Sequence, residues 1–267
     1  MTTRVHHLNC GTMRPIGGGR GGLLPASMVA HCLLVERDRG LLLVDTGFGT
    51  ADIADPGRLG QPFRAMVGPR LDAGETAIAQ VRARGFDPRD VTDIVVTHLD
   101  LDHAGGLGDF PHARVHVYDR ELSAALRPGL RERARYVQAQ WAHGPQWVTH
   151  EARGDSWRGL RAVRALGDDV VLVPLHGHTR GHAGVAVDTG GEDGWLLHAG
   201  DAYFHASEAT PSPHAPVGLV AFQRLMSIDD RTRRANQERI RQLAASQVDV
   251  RVFCAHDVQE FEELAGR

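Results

Sequence analysis

The chain has 267 residues, of which 42% are hydrophobic and 24% are charged, and its formal net charge is -3. This length suffices for one large domain or two small ones with a sizeable core, and the composition is that of an ordinary globular protein. The small net charge and the scattering of the arginines among acids argue against a nucleic-acid or acidic-membrane partner.

Apolar runs bounded by turn residues predict strands and helices along the chain. Strands are predicted at 30–37, 40–47, 93–98, 113–119, 170–175, 183–189, 194–201 and 250–257. Helices are predicted at 75–86, 120–126 and 227–246, the last opened by a capping box of Ser227 and Asp230. Because strands come in runs and helices are few, we expect an α/β fold of two antiparallel-rich sheets with outer helices.

Three segments carry little regular pattern. The N-terminal sequence MTTRVHHLNCG lacks the apolar run of a signal peptide, and no apolar segment is long enough to cross a membrane, so we expect a cytoplasmic protein. The glycine-rich stretch 16–22 lacks nucleotide-binding spacing and is expected to be a loop. The segment from Arg127 to Gly159 is expected to be an irregular excursion that covers a site.

The cysteines are few and do not make a disulfide framework. Cys10, Cys32 and Cys254 are odd in number and far apart. In a chain without a secretion signal, this pattern favours reduced, buried thiols over disulfides.

Imidazoles and carboxylates follow four of the predicted strands. These residues are His98, Asp100, Asp102 and His103 in THLDLDHAGG, His178 in GHTRGH, Asp201 in HAGD, and His256 in CAHD. Binding residues gather on loops held by such a scaffold, so we expect them to converge at one sheet edge.

The combination of donors indicates metal binding. Zinc takes about four nitrogen and oxygen ligands, and two metals roughly 3.5–4 Å apart share donors between them. Taken singly, each residue is explained as well by a solvated loop carboxylate or a turn-anchoring imidazole. Taken together, donors after four strands predict a two-metal site.

At these residues the chain resembles the metallo-β-lactamase superfamily. The family pattern of His-x-His-x-Asp-His, a histidine in Gly-His-x-x-Gly-His, a bridging aspartate and a late histidine is matched in order by HLDLDH, GHTRGH, HAGD and CAHD. The resemblance implies an αββα sandwich of two mixed sheets flanked by helices, as a single domain over residues 1–267. LLVDTG at 42–47 and the stretches 85–106 and 119–126 are most similar to the N-acyl homoserine lactone lactonase branch.

The resemblance also implies a role for each donor. One metal would be held by His98, Asp100 and His178, the other by Asp102, His103 and His256, with Asp201 as the bridge. Asp45 would fix a ligand or its loop, although a turn-capping role explains it equally well. His182 would be structural and would close its turn.

Two positions depart from the family pattern. Asp100 stands where the family has a histidine. It adds negative charge and would lower the Lewis acidity of the metal, and its hard oxygen donor would shift the preference toward Mn²⁺ or Fe²⁺. Homoserine lactonases carry a catalytic tyrosine three residues after the bridging aspartate. Here Tyr203 lies two residues on and Phe204 three. Tyr203 is therefore a catalytic candidate, with simple packing as the alternative.

The implied activity is hydrolysis of an ester or lactone, N-acyl homoserine lactones included, by a hydroxide shared between two divalent metals, with Zn²⁺ expected. Asp102 would pass a proton to the leaving group. Aromatic and methionine residues in loops are candidates for an apolar acyl pocket, with ordinary packing as the alternative: Phe48, Phe63, Met66, Trp141, Phe204, Phe222 and Met226.

Other classes remain open because the fold does not fix the substrate. They are a glyoxalase II-like thioesterase, a sulfur dioxygenase with one iron, and a non-catalytic metal-binding member. A phosphodiesterase ranks lower, since no phosphate clamp is evident near the motifs. The expected partner is a small-molecule ester or lactone, and a homodimer is left open.

Overall fold

Two mixed β-sheets form the centre of the computed structural model, which describes residues 3–19, 21, 23–191 and 194–266. The strands are β1 (Arg4–Asn9), β2 (His31–Arg37), β3 (Gly40–Val44), β4 (Val91–Val95), β5 (Arg114–Tyr118), β6 (Gln146–His150), β7 (Ser156–Trp157), β8 (Leu160–Arg161), β9 (Val163–Leu166), β10 (Val170–Pro174), β11 (Ala183–Asp188), β12 (Trp195–His198) and β13 (Val250–Phe253). The α-helices are α1 (Thr50–Ala54), α2 (Gln61–Val67), α3 (Ala77–Ala83), α4 (Leu101–Ala104), α5 (Asp119–Leu126), α6 (Val217–Met226), α7 (Asp230–Ser246) and α8 (Val258–Ala265).

The strand order explains why donors far apart in sequence can meet. The first sheet has the order β1-β2-β3-β4-β5-β6, antiparallel up to β3 and parallel from β3 to β6. The second has the order β13-β12-β11-β10-β9, with β12 and β13 parallel and the other pairs antiparallel. Strands β7 and β8 form a separate hairpin.

The sheets stack face to face because their strands are apolar on both sides. Alternate residues of β2 and β3 enter different cores: Leu34 and Leu43 pack under α3, whereas Leu33 and Leu42 face the second sheet. The outer face of the second sheet packs against α7 through residues such as Ile240. Helices therefore flank two stacked sheets, and the predicted αββα sandwich of mixed sheets is confirmed.

Most predicted strands and helices are present. Their bounds are mostly shorter than predicted, but β4 begins two residues before the predicted strand and α5 one residue before the predicted helix. The helix predicted from Ser227 is wrong at its start. Ser227 directly follows α6 as its C-cap residue, and its hydroxyl donates to the Gln223 carbonyl oxygen. Helix α7 is capped by Asp229, which accepts from the Thr232 backbone N–H at 3.0 Å. The segment 127–159, predicted as irregular, also supplies β6, which completes the first sheet.

The cysteines and the glycine-rich stretch were predicted as buried thiols and as a loop. Cys10, Cys32 and Cys254 are all buried and free. Among the described residues, no helix combines the length and the hydropathy needed to cross a lipid bilayer. The glycine-rich stretch forms turns at residues 16–19, and Arg20 and Gly22 lie outside the described residues.

A histidine pair at the edge of the first sheet gives a pH-dependent stability. His150 on β6 lies 2.9 Å from His116 on β5 (Nε2 to Nδ1), and His116 in turn bonds Asp93. Burial, and after it the neighbouring His116, lower the pKa of His150 to about 4. The unfolded chain protonates a histidine near pH 6.5, so between roughly pH 6.5 and 4 it takes up a proton that the folded chain does not. Stability should therefore fall as the pH falls through this window.

We expect His150→Gln to remove part of this acid sensitivity. Glutamine does not titrate, and its amide nitrogen can still donate to His116. Thermal melting of metal-free protein between pH 7 and 4 should give a shallower loss of Tm for His150→Gln than for the wild type. His214→Gln, at an exposed position, is the matched control. Parallel Tm profiles for wild type and His150→Gln would contradict this assignment.

Candidate metal centre

The predicted donors lie together at one edge of the sandwich. His98, Asp100, Asp102 and His103 follow β4 and enter α4, and His178 lies in the turn between β10 and β11. Asp201 follows β12, and His256 follows β13. The parallel pairing of β12 with β13 places their carboxyl ends side by side. The fold therefore assembles in space what the sequence distributes over about 160 positions between His98 and His256.

Asp201 lies at the centre of the cluster. Its Oδ2 is 3.2 Å from His178 Nε2 and 3.7 Å from His98 Nε2. Its Oδ1 is 3.1 Å from His256 Nε2 and 3.3 Å from His103 Nε2. One carboxylate thus faces an imidazole pair with each oxygen, which is the arrangement of a bridging ligand.

The donor atoms divide into two metal-sized groups. Ligand atoms of His98, His178 and Asp201 all lie within 4.8 Å of one another, and so do those of Asp102, His103 and His256. His98 Nε2, His103 Nε2 and Asp201 Oδ1 are buried without a partner in hydrogen-bonding geometry. Since buried polar atoms in proteins are normally satisfied, these orphaned atoms fit a pair of divalent cations.

The other ring nitrogen of three imidazoles is fixed by the surrounding chain. His98 Nδ1 lies 2.9 Å from the Thr97 hydroxyl, and His103 Nδ1 lies 2.9 Å from Asp45 Oδ2. His256 Nδ1 lies 2.8 Å from the Val29 carbonyl oxygen. Such contacts set the tautomer and ring orientation and leave Nε2 for a metal. Asp45 therefore supports a donor, as the resemblance implied.

His182 is a neighbour of the cluster with a different role. Its Nδ1 lies 3.0 Å from the Leu175 carbonyl oxygen, and its Nε2 accepts from the Asp201 backbone N–H at 2.8 Å. Gly200 has φ +54°, and a Cβ there would lie 2.5 Å from His182 Nε2, so the loop passes too close for a side chain. His182 thus shapes the Asp201 loop, in agreement with the structural role expected for it.

The charges of the cluster are interdependent. Burial alone would raise the pKa of Asp201, but His256 and the other imidazoles around it hold this pKa well below its usual value. Burial would likewise lower the pKa of His103, but Asp201 and then Asp45 raise it well above its usual value. The site therefore favours an ionised carboxylate among positive charges, which protons or metal ions can supply.

Asp100 has two different partners. Its Oδ2 lies 3.0 Å from His178 Nε2 and 3.5 Å from His98 Nε2. Its Oδ1 forms an ion pair with Arg135 Nε at 3.2 Å. Asp100 is thus within reach of the His98 group, although it is not part of the tightest set of three.

Arg135 is the site residue that the sequence did not reveal. It lies in the aperiodic stretch RERARY at 131–136, where nothing distinguishes it from Arg131 and Arg133. In the fold, Arg135 is buried and the other two arginines are exposed.

Tyr203 does not lie in the cavity beside the cluster. Its side chain is fully buried in the core under the second sheet, and its hydroxyl donates to Glu260 Oε1 at 2.8 Å. The backbone at Tyr203 is extended, so the next side chain, Phe204, points to the opposite side and lines the cavity. This placement argues against the catalytic expectation for Tyr203 and favours the packing alternative.

An apolar cavity of about 750 Å³ opens onto the donors. Asp100, Asp102, His178, Asp201 and His256 contribute to its lining. The predicted pocket residues that line it are Phe63, Met66, Phe204, Phe222 and Met226. Phe48 and Trp141 do not line it, because both are buried in the cores beside it. The segment 131–137 forms one wall, so the excursion after Arg127 does cover the site.

The chain is similar in sequence and in fold to known metallo-hydrolases and lactonases. A "Probable metallo-hydrolase Rv2300c" of Mycobacterium tuberculosis is 46% identical over 95% of this chain and 80% of its own length. The N-acyl homoserine lactonase AttM of Rhizobium radiobacter is 28% identical over 69% of this chain and 70% of its own. An N-acyl homoserine lactone hydrolase solved with N-hexanoyl-L-homoserine at its metal centre superposes with a TM-score of 0.75 at 20% identity, covering 98% of this chain and 97% of that one. The family description "Metallo-beta-lactamase superfamily" matches residues 28–256. The chain therefore belongs to the metallo-β-lactamase superfamily.

Proposed function

We propose that this metallo-hydrolase cleaves an ester or a lactone that carries an apolar acyl group. The observation that supports this most strongly is the position of the donor cluster at the wall of an apolar cavity of about 750 Å³. Ligand sites are usually concave and mostly apolar, with a few polar groups that orient the reacting bond. An acyl chain would lie along the apolar walls and present its carbonyl to the cluster.

We propose that seven side chains hold two metal ions at this edge. His98, His178 and Asp100 would hold one ion, Asp102, His103 and His256 the other, and Asp201 would lie between them. Such ions supply an activated water and polarise a carbonyl at neutral pH. We expect Zn²⁺ for this set of imidazoles and carboxylates, with Mn²⁺ or Fe²⁺ as alternatives.

Asp102 is the donor best placed to move a proton. It is only half-buried, lines the cavity, and keeps its Oδ2 3.8 Å from His256 Nε2. A carboxylate at such a boundary can take up the proton that the attacking water loses and pass it to the departing alkoxide oxygen. In the proposed reaction Asp102 protonates the leaving group.

N-acyl homoserine lactones are the candidate substrate class that these features favour. They combine an apolar acyl chain with a lactone carbonyl, and the proteins similar to this chain include N-acyl homoserine lactonases. Thioesters with apolar acyl groups are tested alongside the lactones, since nothing in the cavity lining distinguishes a sulfur leaving group from an oxygen leaving group.

We expect kcat/KM for a series of acyl substrates to rise with acyl length. Burial of one methylene contributes about 0.8 kcal/mol at most, which is up to about 4-fold in kcat/KM per methylene from acetyl to octanoyl. The measurement is hydrolysis of homoserine lactones, alkyl esters, thioesters and a phosphodiester by metal-loaded protein. Silence on every acyl substrate would contradict the proposed function.

The variant Phe222→Ala tests the wall of the cavity. It should reduce kcat/KM for octanoyl substrates far more than for acetyl substrates. Phe86→Ala is the matched control. Phe86 is also half-buried, but it packs against the core under α3 and does not line the cavity. An equal loss for short and long acyl chains in Phe222→Ala would show that this wall does not bind the acyl group.

A further inference from the structure

Arg135 is a buried cation in direct contact with the candidate metal centre. Only 6% of its surface is exposed. Its Nε forms an ion pair with Asp100 Oδ1 at 3.2 Å. Nη1 donates to the His178 carbonyl oxygen at 2.8 Å, and Nη2 donates to the Met226 carbonyl oxygen at 2.9 Å. Nη2 also lies 3.4 Å from His178 Nε2. One guanidinium thus joins the β4 loop, the His178 turn and the end of α6.

The guanidinium balances one carboxylate of the donor set. The set contains three carboxylates and four imidazoles. Asp100 is 6% exposed, and a carboxylate buried to this extent is costly unless a cation or hydrogen bonds compensate it. Arg135 supplies the cation. The pair has no net charge, which is also the charge of a metal-binding imidazole.

The geometry separates the two oxygens of Asp100. Arg135 forms an ion pair with Oδ1, and Oδ2 faces His98 and His178. A carboxylate held in this way offers one oxygen in a fixed direction, as an imidazole offers one nitrogen.

We propose that Arg135 is a positioning residue for Asp100, and that the two side chains act as one neutral unit in the place of a single imidazole ligand. The expectation that Asp100 lowers the Lewis acidity of its metal is then revised, because Arg135 offsets the added charge. This inference rests on the proposed metal centre and concerns only how Asp100 serves it.

The alternative is that Arg135 merely holds its loop through the two carbonyl oxygens. That role predicts lower stability for Arg135 variants, whatever residue occupies position 100. The neutral unit instead predicts that the effects of changing Asp100 and Arg135 compensate each other. Metal affinity separates these two roles, and activity is not needed as the readout.

The test is a double-mutant cycle of Asp100→His, Arg135→Met and the two combined. Zinc affinity is measured by competition with a chromogenic chelator, stoichiometry by element analysis, and Tm on the metal-free proteins. In Asp100→His the guanidinium stays without its carboxylate beside a cation site, and in Arg135→Met the carboxylate loses its fixed orientation. Each single variant should bind one of its two zinc ions about 10–100-fold more weakly.

The combined variant should bind that ion within about 3-fold of wild type, because one neutral imidazole then replaces the neutral pair. The effects of substitutions in one network on binding free energy need not add. A combined variant that binds zinc no better than either single variant would overturn the proposal. Arg133→Met is the matched control for loss of an exposed arginine at the same cavity, and its affinity should match wild type.

A third variant keeps the test decisive if the combined variant does not fold. Arg135→Lys retains the charge and loses the planar fork, so its zinc affinity should lie between those of wild type and Arg135→Met. Wild-type affinity in Arg135→Met would overturn the inference while leaving the metal centre intact. Wild-type protein that binds no metal would instead refute the proposed function.

Discussion

Replacement of Asp201 by alanine is expected to lower the rate of hydrolysis steeply and to release metal from both halves of the site. Each oxygen of this carboxylate faces two imidazoles, at 3.1–3.7 Å, so its loss leaves four imidazoles without the charge between them. Loss of metal-assisted catalysis should lower kcat/KM by about three orders of magnitude, or about 4 kcal/mol. The measurements are metal content by element analysis and kcat/KM on the most active acyl substrate.

Asp168→Ala is the control for Asp201→Ala, because Asp168 is an exposed aspartate remote from the cluster. It should keep wild-type metal content and activity. If Asp201→Ala retained two metal ions and full activity, Asp201 would not be the bridging ligand and the arrangement of the centre would have to be reassigned.

Asp45→Ala is expected to cause the largest loss of stability at the site. Asp45 is buried and accepts from the Thr97 backbone N–H at 2.7 Å and from the Thr97 hydroxyl at 2.7 Å, and it lies 2.9 Å from His103 Nδ1. Removing one partner of a buried charged pair typically costs about 3–5 kcal/mol. Metal affinity should also fall about 10–100-fold, because His103 loses the contact that orients its ring. Urea unfolding and chelator competition measure the two effects.

Asp93→Ala separates stability from metal binding. Asp93 is also buried and forms the same kind of pair, with its Oδ1 2.9 Å from His116 Nε2. It lies in the middle of β4, whereas the metal donors lie in the loop and helix after this strand. It should lower stability and leave metal affinity unchanged. Equal loss of metal affinity in Asp45→Ala and Asp93→Ala would mean that global stability, and not orientation of His103, controls metal binding.

The sequence could predict the strands that carry the site because these strands are buried on both faces. Such strands consist of continuous apolar runs, which are easy to recognise in a sequence. Strands β2, β3 and β10 to β13 all lie within predicted segments, and β4 overlaps the segment predicted at 93–98. The donors follow β4, β10, β12 and β13. Strands β1 and β6 were not predicted, because RVHHLN and QWVTH mix histidine and other polar residues with apolar ones at the two sheet edges.

The parts of the site that the sequence could not predict depend on how loops turn in space. A shift of one residue in an extended loop puts Phe204 in the cavity and Tyr203 in the core. Arg135 comes from a segment without regular secondary structure, so neither periodicity nor motif spacing places it beside Asp100. Likewise, α7 begins directly after Asp229, whose carboxylate accepts from the Thr232 backbone N–H, and that contact is fixed by the fold around it.

The most direct measurement of the central claim is removal and return of metal. Protein treated with a chelator should contain no metal and hydrolyse no acyl substrate, and it should keep its secondary structure by circular dichroism. Titration with Zn²⁺ should restore hydrolysis, with activity saturating at two ions per chain. Hydrolysis by metal-free protein, or two bound zinc ions with no hydrolysis of any acyl substrate, would contradict the assignment of this cluster as a hydrolytic metal centre.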